Sequence, residues 1–98
     1  MIEIFDKKGF DCLLTIEADS LKNIDLSGAV LREANLVQYD FTDAVLKDVD
    51  FQDADLRLVN FTNADLTGAN LTGADMTGAI LENAKIDKPK VIPIVIKS

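Results

Sequence analysis

The densest group of side chains able to bind a metal or move a proton is Asp40, Asp43, Asp48, Asp50, Asp53 and Asp55, six carboxylates within sixteen residues that include a single base, Lys47. Such a cluster first suggests calcium. Asp48-Val49-Asp50 followed by Asp53-Ala54-Asp55 has the acid spacing of a calcium loop, but the Gly that an EF-hand turn requires is Asp53 and the closing bidentate Glu is Val59. The loop reading therefore fails. A carboxylate pair for acid/base catalysis needs a cleft that raises one of the two pKa values. The expected role of the six is thus an acidic surface patch.

Other chemistry is scarce. The chain has no His, which removes the usual general base and metal ligand, and Cys12 alone makes neither a disulfide nor a CxxC site. Without a His to activate it, Cys12 is expected to be an inert thiol. Gly68, Gly73 and Gly78 are five apart, with no Gly-Lys-Ser/Thr to complete a phosphate loop. Asn60-Phe61-Thr62 and Asn70-Leu71-Thr72 match a glycosylation pattern only because they belong to a repeat. The expectation is a non-enzymatic protein with no cofactor, no metal and no catalytic residue.

The chain is 98 residues long and 48% apolar, with ten basic and seventeen acidic side chains. One small domain is the limit, since a chain of this size buries only about 60–65% of its unfolded surface. The net charge of −7 disfavours nucleic acid phosphates and anionic lipid and suits a basic protein partner. The first eight residues hold acids and bases and no apolar stretch ending in small residues, unlike a secretory signal, so the cytoplasm is the expected compartment. The longest apolar run, Val91 to Ile96, is interrupted by Pro93 and far short of the roughly 20 residues that span a bilayer.

What must position these residues is a repeat. From Ile24 to Lys88 the sequence returns every five residues, and the middle residue of each unit, from Leu26 to Ile86, is Leu, Phe, Met or Ile. Two places earlier stands Ala in nine of thirteen units, with Ile24, Tyr39, Val49 and Val59 in the rest; immediately before the middle residue is Asp or Asn in nine. On an α-helix, five residues turn through about 500°, so the large residues would wind around it. On a straight strand an odd period would send them to alternate faces. A bend in every unit reconciles the pattern: Ala and the large residue point inward, the residue between them outward, and the last residue makes the corner. That last place holds Gly28, Gly68, Gly73, Gly78, Asn63, Asn83, Asp43, Asp48 and Asp53, types that tolerate turn geometry.

Units such as Ala54-Asp55-Leu56-Arg57-Leu58 and Ala64-Asp65-Leu66-Thr67-Gly68 resemble the pentapeptide-repeat family, whose consensus is A(D/N)LXX. The resemblance covers 65 of 98 residues and implies an all-β fold: a right-handed quadrilateral β-helix of about three to four coils, with four units per coil. Residues twenty apart would then stack, Phe41 over Phe61, and Tyr39, Val59 and Ala79 would form one inward column, with Tyr39 near the N-terminal end where space opens beneath an imperfect coil. Thirteen units would make a tower roughly 16 Å tall at about 4.8 Å per stacked strand.

A single domain in three parts follows: residues 1–23 as an N-terminal cap, 24–88 as repeats, 89–98 as an apolar tail. Ile2 to Phe5 and Phe10 to Ile16, joined by Asp6-Lys7-Lys8-Gly9, read as a β-hairpin with positive φ at Gly9, and Leu14 to Asn23 as two degenerate units around Ile16 and Leu21. The tail either covers the last coil or, through Val91, Ile92, Ile94, Val95 and Ile96, docks on a second copy, giving a homo-oligomer through the C-terminal end.

The expected function is a scaffold that binds a protein partner of unknown identity through a wall or its C-terminal end. Val37 and Leu58 are outward apolar residues close together on one wall and are the candidate contact. The alternative comes from the family, some of whose members resemble duplex DNA and bind type II topoisomerases such as gyrase. Twelve acids and five bases in residues 24–88 amount to about one charge per 2.3 Å, against about one per 1.7 Å in B-DNA, but the tower spans only half a duplex turn.

Overall fold

The fifth residue of each unit fixes the architecture. In the computed structural model, which describes residues 1–87, φ is positive at every corner from Asn23 to Asn83, between 57° and 78°. Each corner is the third residue of a β-turn closed by an i+3 to i hydrogen bond, as from the Ala29 N–H to the Leu26 carbonyl at 2.9 Å. Positive φ at that place alone is the type II requirement. Three corners, Glu33, Gln38 and Leu58, meet it with side chains that are not turn formers.

Four such bends close a coil. Parallel bridges join residues twenty apart: Asp25, Val45, Asp65 and Lys85 stack on the first side, Val30, Asp50 and Asn70 on the second, Asn35, Asp55 and Asp75 on the third, Asp40, Asn60 and Ile80 on the fourth. The bonds run along the axis in both directions, as from Leu46 N–H to Asp65 carbonyl at 2.8 Å and from Asp65 N–H to Ala44 carbonyl at 2.9 Å. The fold is the right-handed quadrilateral β-helix that the family resemblance implied.

The inward columns make one continuous apolar core. The middle residues Leu31, Leu36, Phe41, Leu46, Phe51, Leu56, Phe61, Leu66, Leu71 and Met76 are buried, as are Ala34, Ala44, Ala54 and Ala64 with Val49 and Val59. No polar or charged residue is buried among the described residues. Phe41 stacks on Phe61 with ring centroids 5.8 Å apart and planes 7° from parallel, and Phe51 meets Phe61 edge-on at 6.2 Å.

The first coil is closed from below by the expected hairpin. Strands β1 (Ile2–Phe5) and β2 (Cys12–Ile16) pair antiparallel, with an irregularity between Ile4 and Phe5. Beyond β1 the chain runs antiparallel to the third unit: Asn35 N–H donates to the Phe5 carbonyl and Lys7 N–H to the Glu33 carbonyl, each at 2.8 Å. Two boundaries differ from expectation. The Asp6 side chain accepts hydrogen bonds from the N–H groups of Phe10 and Asp11, which draws both into the turn and delays the second strand to Cys12. Ile16 belongs to β2, paired with Ile2, so only residues 19–23 form a degenerate unit, with Leu21 buried and Asn23 at its corner. The tail residues Val91, Ile92, Ile94, Val95 and Ile96 lie outside the described residues.

Candidate functional site

The acids on the walls fall into two classes set by their place in the unit. Asp25, Asp40, Asp50, Asp55, Asp65 and Asp75 precede a middle residue, and the Oδ1 of each accepts a hydrogen bond from the N–H two residues on, at 2.9 to 3.3 Å. Asn35, Asn60 and Asn70 do the same. Short side chains with a carbonyl-like oxygen suit this local bond, which explains why Asp and Asn alternate freely here. The hydroxyls of Thr42, Thr62, Thr67 and Thr77 also donate to the residue two before them, as from Thr62 to Asn60 and from Thr77 to Asp75, both at 2.6 Å.

These bonds favour ionised carboxylates. The Thr67 hydroxyl and N–H hold the Asp65 carboxyl below its ordinary range, and Thr42 does so for Asp40 and Ser27 for Asp25. The Arg57 guanidinium lowers Asp55. At Asp50 partial burial pulls upward, but the Arg32 guanidinium and Gln52 N–H outweigh it and the net shift is downward.

Bases are placed to meet the same acids. Lys22, Arg32 and Lys47 occupy the fourth place of a unit and pair with Asp40, Asp50 and Asp65 eighteen residues on, one coil above; Arg57 pairs with Asp55 in its own unit. The predicted patch is thereby divided. Asp40, Asp50 and Asp55 are turn-bonded and ion-paired, whereas Asp43, Asp48 and Asp53 stand at corners with φ of 59° to 61°. No group of His, Cys, Asp and Glu among the described residues has the arrangement of a metal site.

The Gln38 N–H donates to the Arg57 carbonyl, so Val37 and Leu58 are diagonal neighbours on adjacent coils of the third wall. Val37 is half-buried; Leu58 is 52% exposed, with φ at 62°. Val30 and Ile80 are exposed on other walls.

Space was expected beside Tyr39, but not the residues that line it. Ile2, Asp19, Ser20, Leu21, Tyr39 and Asp40 line an open cleft of about 320 Å³ where the hairpin meets the first turn of the solenoid. Tyr39, in a place that is usually Ala, is its signal in the sequence, since a large ring in an inward column needs space beside it. Cys12 is exposed, its Sγ 3.6 Å from the Thr15 hydroxyl. No helix among the described residues is long and apolar enough to cross a membrane.

Solved structures share this architecture. A pentapeptide repeat protein from Nostoc Pcc 7120 is 33% identical with a TM-score of 0.66, aligning over 71% of this chain and 58% of its own. A second, from the Arabidopsis thaliana thylakoid lumen, is 36% identical with a TM-score of 0.51 over 68% of this chain and 45% of its own. The chain thus spans about half the length of these relatives. No curated protein matches it. The family described as pentapeptide repeats matches residues 24–63 and 44–83 in eight copies. With the twenty-residue stacking and the corner geometry, those matches lead to one conclusion: this chain belongs to the pentapeptide-repeat family.

Proposed function

We propose that the protein is a non-enzymatic scaffold whose third wall, centred on Leu58 with Val37 beside it, binds a partner protein. The observation that carries this reading is Leu58 itself. A corner with φ of 62° favours Gly, Asn or Asp, and Leu there costs about 1 kcal/mol while leaving half its side chain in water. Neither local geometry nor the core gains from it, and strain of this kind is characteristic of binding positions. The rest of the wall suits a polar rim: the Asp55–Arg57 pair and Gln38 surround the two apolar side chains.

DNA mimicry draws less support. Four of the wall acids are neutralised by ion pairs and the free corner acids are not arranged as two continuous strips. A charge density that approaches that of duplex DNA remains its only basis.

Leu58→Asn separates folding from binding. The substitution should raise stability by about 0.5–1 kcal/mol, because Asn tolerates positive φ, and should abolish capture of the partner recovered from native lysate by the wild-type chain. Equal recovery of that partner by the variant would overturn the reading.

A further inference from the structure

The hairpin carries an exposed aromatic knob at one end and the Tyr39 cleft at the other. Its turn, Lys7-Lys8-Gly9-Phe10, is closed by bonds from Gly9 N–H to the Asp6 carbonyl at 3.0 Å and from Phe10 N–H to the Asp6 side chain at 2.8 Å, with φ of 78° at Gly9. The Phe10 backbone is therefore held in the turn while 82% of the residue is exposed. Phe5, the nearest residue of β1 to the turn, is also exposed. A backbone bound this tightly has little freedom left to lose on docking, and a large exposed aromatic on it is the form that interface anchors take.

The cleft has the matching chemistry. Ile2, Leu21 and Tyr39 supply an apolar lining, and Asp19 and Asp40 supply carboxylates at the mouth. Asp40 already holds one ammonium group, that of Lys22, at 3.6 Å. Phe10 fits the apolar part, and Lys7 and Lys8 beside it suit the carboxylates. Ile2 begins β1 and the knob follows its end, so knob and cleft are separated by the length of a four-residue strand, about 13 Å. Two such hairpins laid side by side in opposite directions bring each knob to the other's cleft. This is a self-complementary, closed arrangement about a two-fold axis.

We propose that two copies of the chain pair through their N-terminal hairpins, Phe10 of each entering the Tyr39 cleft of the other. The pairing is read from the mass of this chain alone and the Leu58 contact from capture of another protein, so either reading can fail without the other. It also places the homo-oligomer contact at the opposite end from the one expected of the apolar tail.

Sedimentation of the full chain from about 10 µM to about 1 mM, the range where small and partly polar contacts form, tests it. The average mass should rise from 10.7 kDa towards twice that value. Phe10→Ser, an exposed change that leaves the fold intact, should hold the mass at the monomer value throughout. Asp19→Lys should weaken pairing by repelling Lys7 and Lys8. Tyr39 is the only Tyr and the chain has no Trp, so intrinsic fluorescence reports on the cleft and should change with concentration in the wild type but not in Phe10→Ser. A wild-type chain that stays monomeric, a Phe10→Ser chain that still dimerises, or a dimer whose Tyr39 emission never changes would each overturn the proposal.

Discussion

The Oδ1 of Asp48 occupies the space beneath Gly68, twenty residues further along the chain, where any side chain at Gly68 would have to begin. Asp53 stands under Gly73 in the same way, and the Leu58 Cδ2 would lie 2.6 Å from a Cβ at Gly78. The glycines late in the sequence thus answer to particular corner residues one coil earlier.

Gly68→Ala should therefore cost more than Gly28→Ala. Both corners have positive φ, 74° and 78°, but a Cβ at Gly28 meets nothing within 4 Å. The open corner should lose about 1 kcal/mol from backbone strain alone, and the crowded one about 2 kcal/mol or more. Urea unfolding of the two variants measures the difference. Adding Asp48→Gly to Gly68→Ala should recover most of the excess, a coupling that a double-mutant cycle would detect.

Phe61 is the most connected aromatic residue of the core, stacked on Phe41 and edge-on to Phe51. Phe61→Ala should destabilise by about 3–5 kcal/mol, whereas Phe61→Leu, matching the middle residue of most other units, should cost well under half as much. Thermal unfolding followed by circular dichroism would rank them.

Much of this was legible in the sequence, and the reason is periodicity. Ala54, Leu56 and Phe61 declare an inward face because the bend makes every unit equivalent, and a corner of Gly, Asn or Asp identifies where the bend falls. What was not legible is what departs from equivalence. Glu33, Gln38 and Leu58 turn corners against their local preference because stacking on both neighbours dictates the backbone. Phe10 left the strand because the Asp6 carboxylate captured its N–H, a contact that no alternation of residue types announces. Six acids that looked like one patch divide between ion-paired walls and corners, since only the place within the unit decides whether an Arg or Lys comes within reach.

Acid should loosen the solenoid. The carboxyl groups of Asp25, Asp40, Asp50, Asp55 and Asp65 are all held below their ordinary range in the fold. A group whose folded pKa is depressed contributes stability above its unfolded value and loses it as pH falls through the folded one. The urea midpoint should thus be level near neutrality and decline below about pH 4. Asp65→Asn, which keeps the bond to the Thr67 N–H and gives up the charge, should make that decline shallower. A variant as acid-sensitive as the wild type would exclude Asp65 as a contributor.

The last described coil has its own weak point. Gly68 N–H donates to the Asp87 side chain at 2.8 Å, where the corners below donate to a backbone carbonyl, as Asp48 N–H does to Thr67 at 2.9 Å. Asp87→Ala should leave that N–H to water and speed hydrogen exchange at Gly68, with Asp48 unaffected. Asp87→Asn, which keeps an acceptor oxygen, should preserve the protection.

Four bends per coil also govern how such a chain can change length. An added segment of twenty residues inserts one storey and returns every later side chain to the wall it occupied before. An added segment of five turns everything downstream by a quarter revolution: Asp50 would no longer stand above Arg32, nor Gly68 above Asp48, and the third wall would end below Leu58 and resume around the corner. Growth in whole storeys preserves the building's façades, and growth by a single repeat exchanges them.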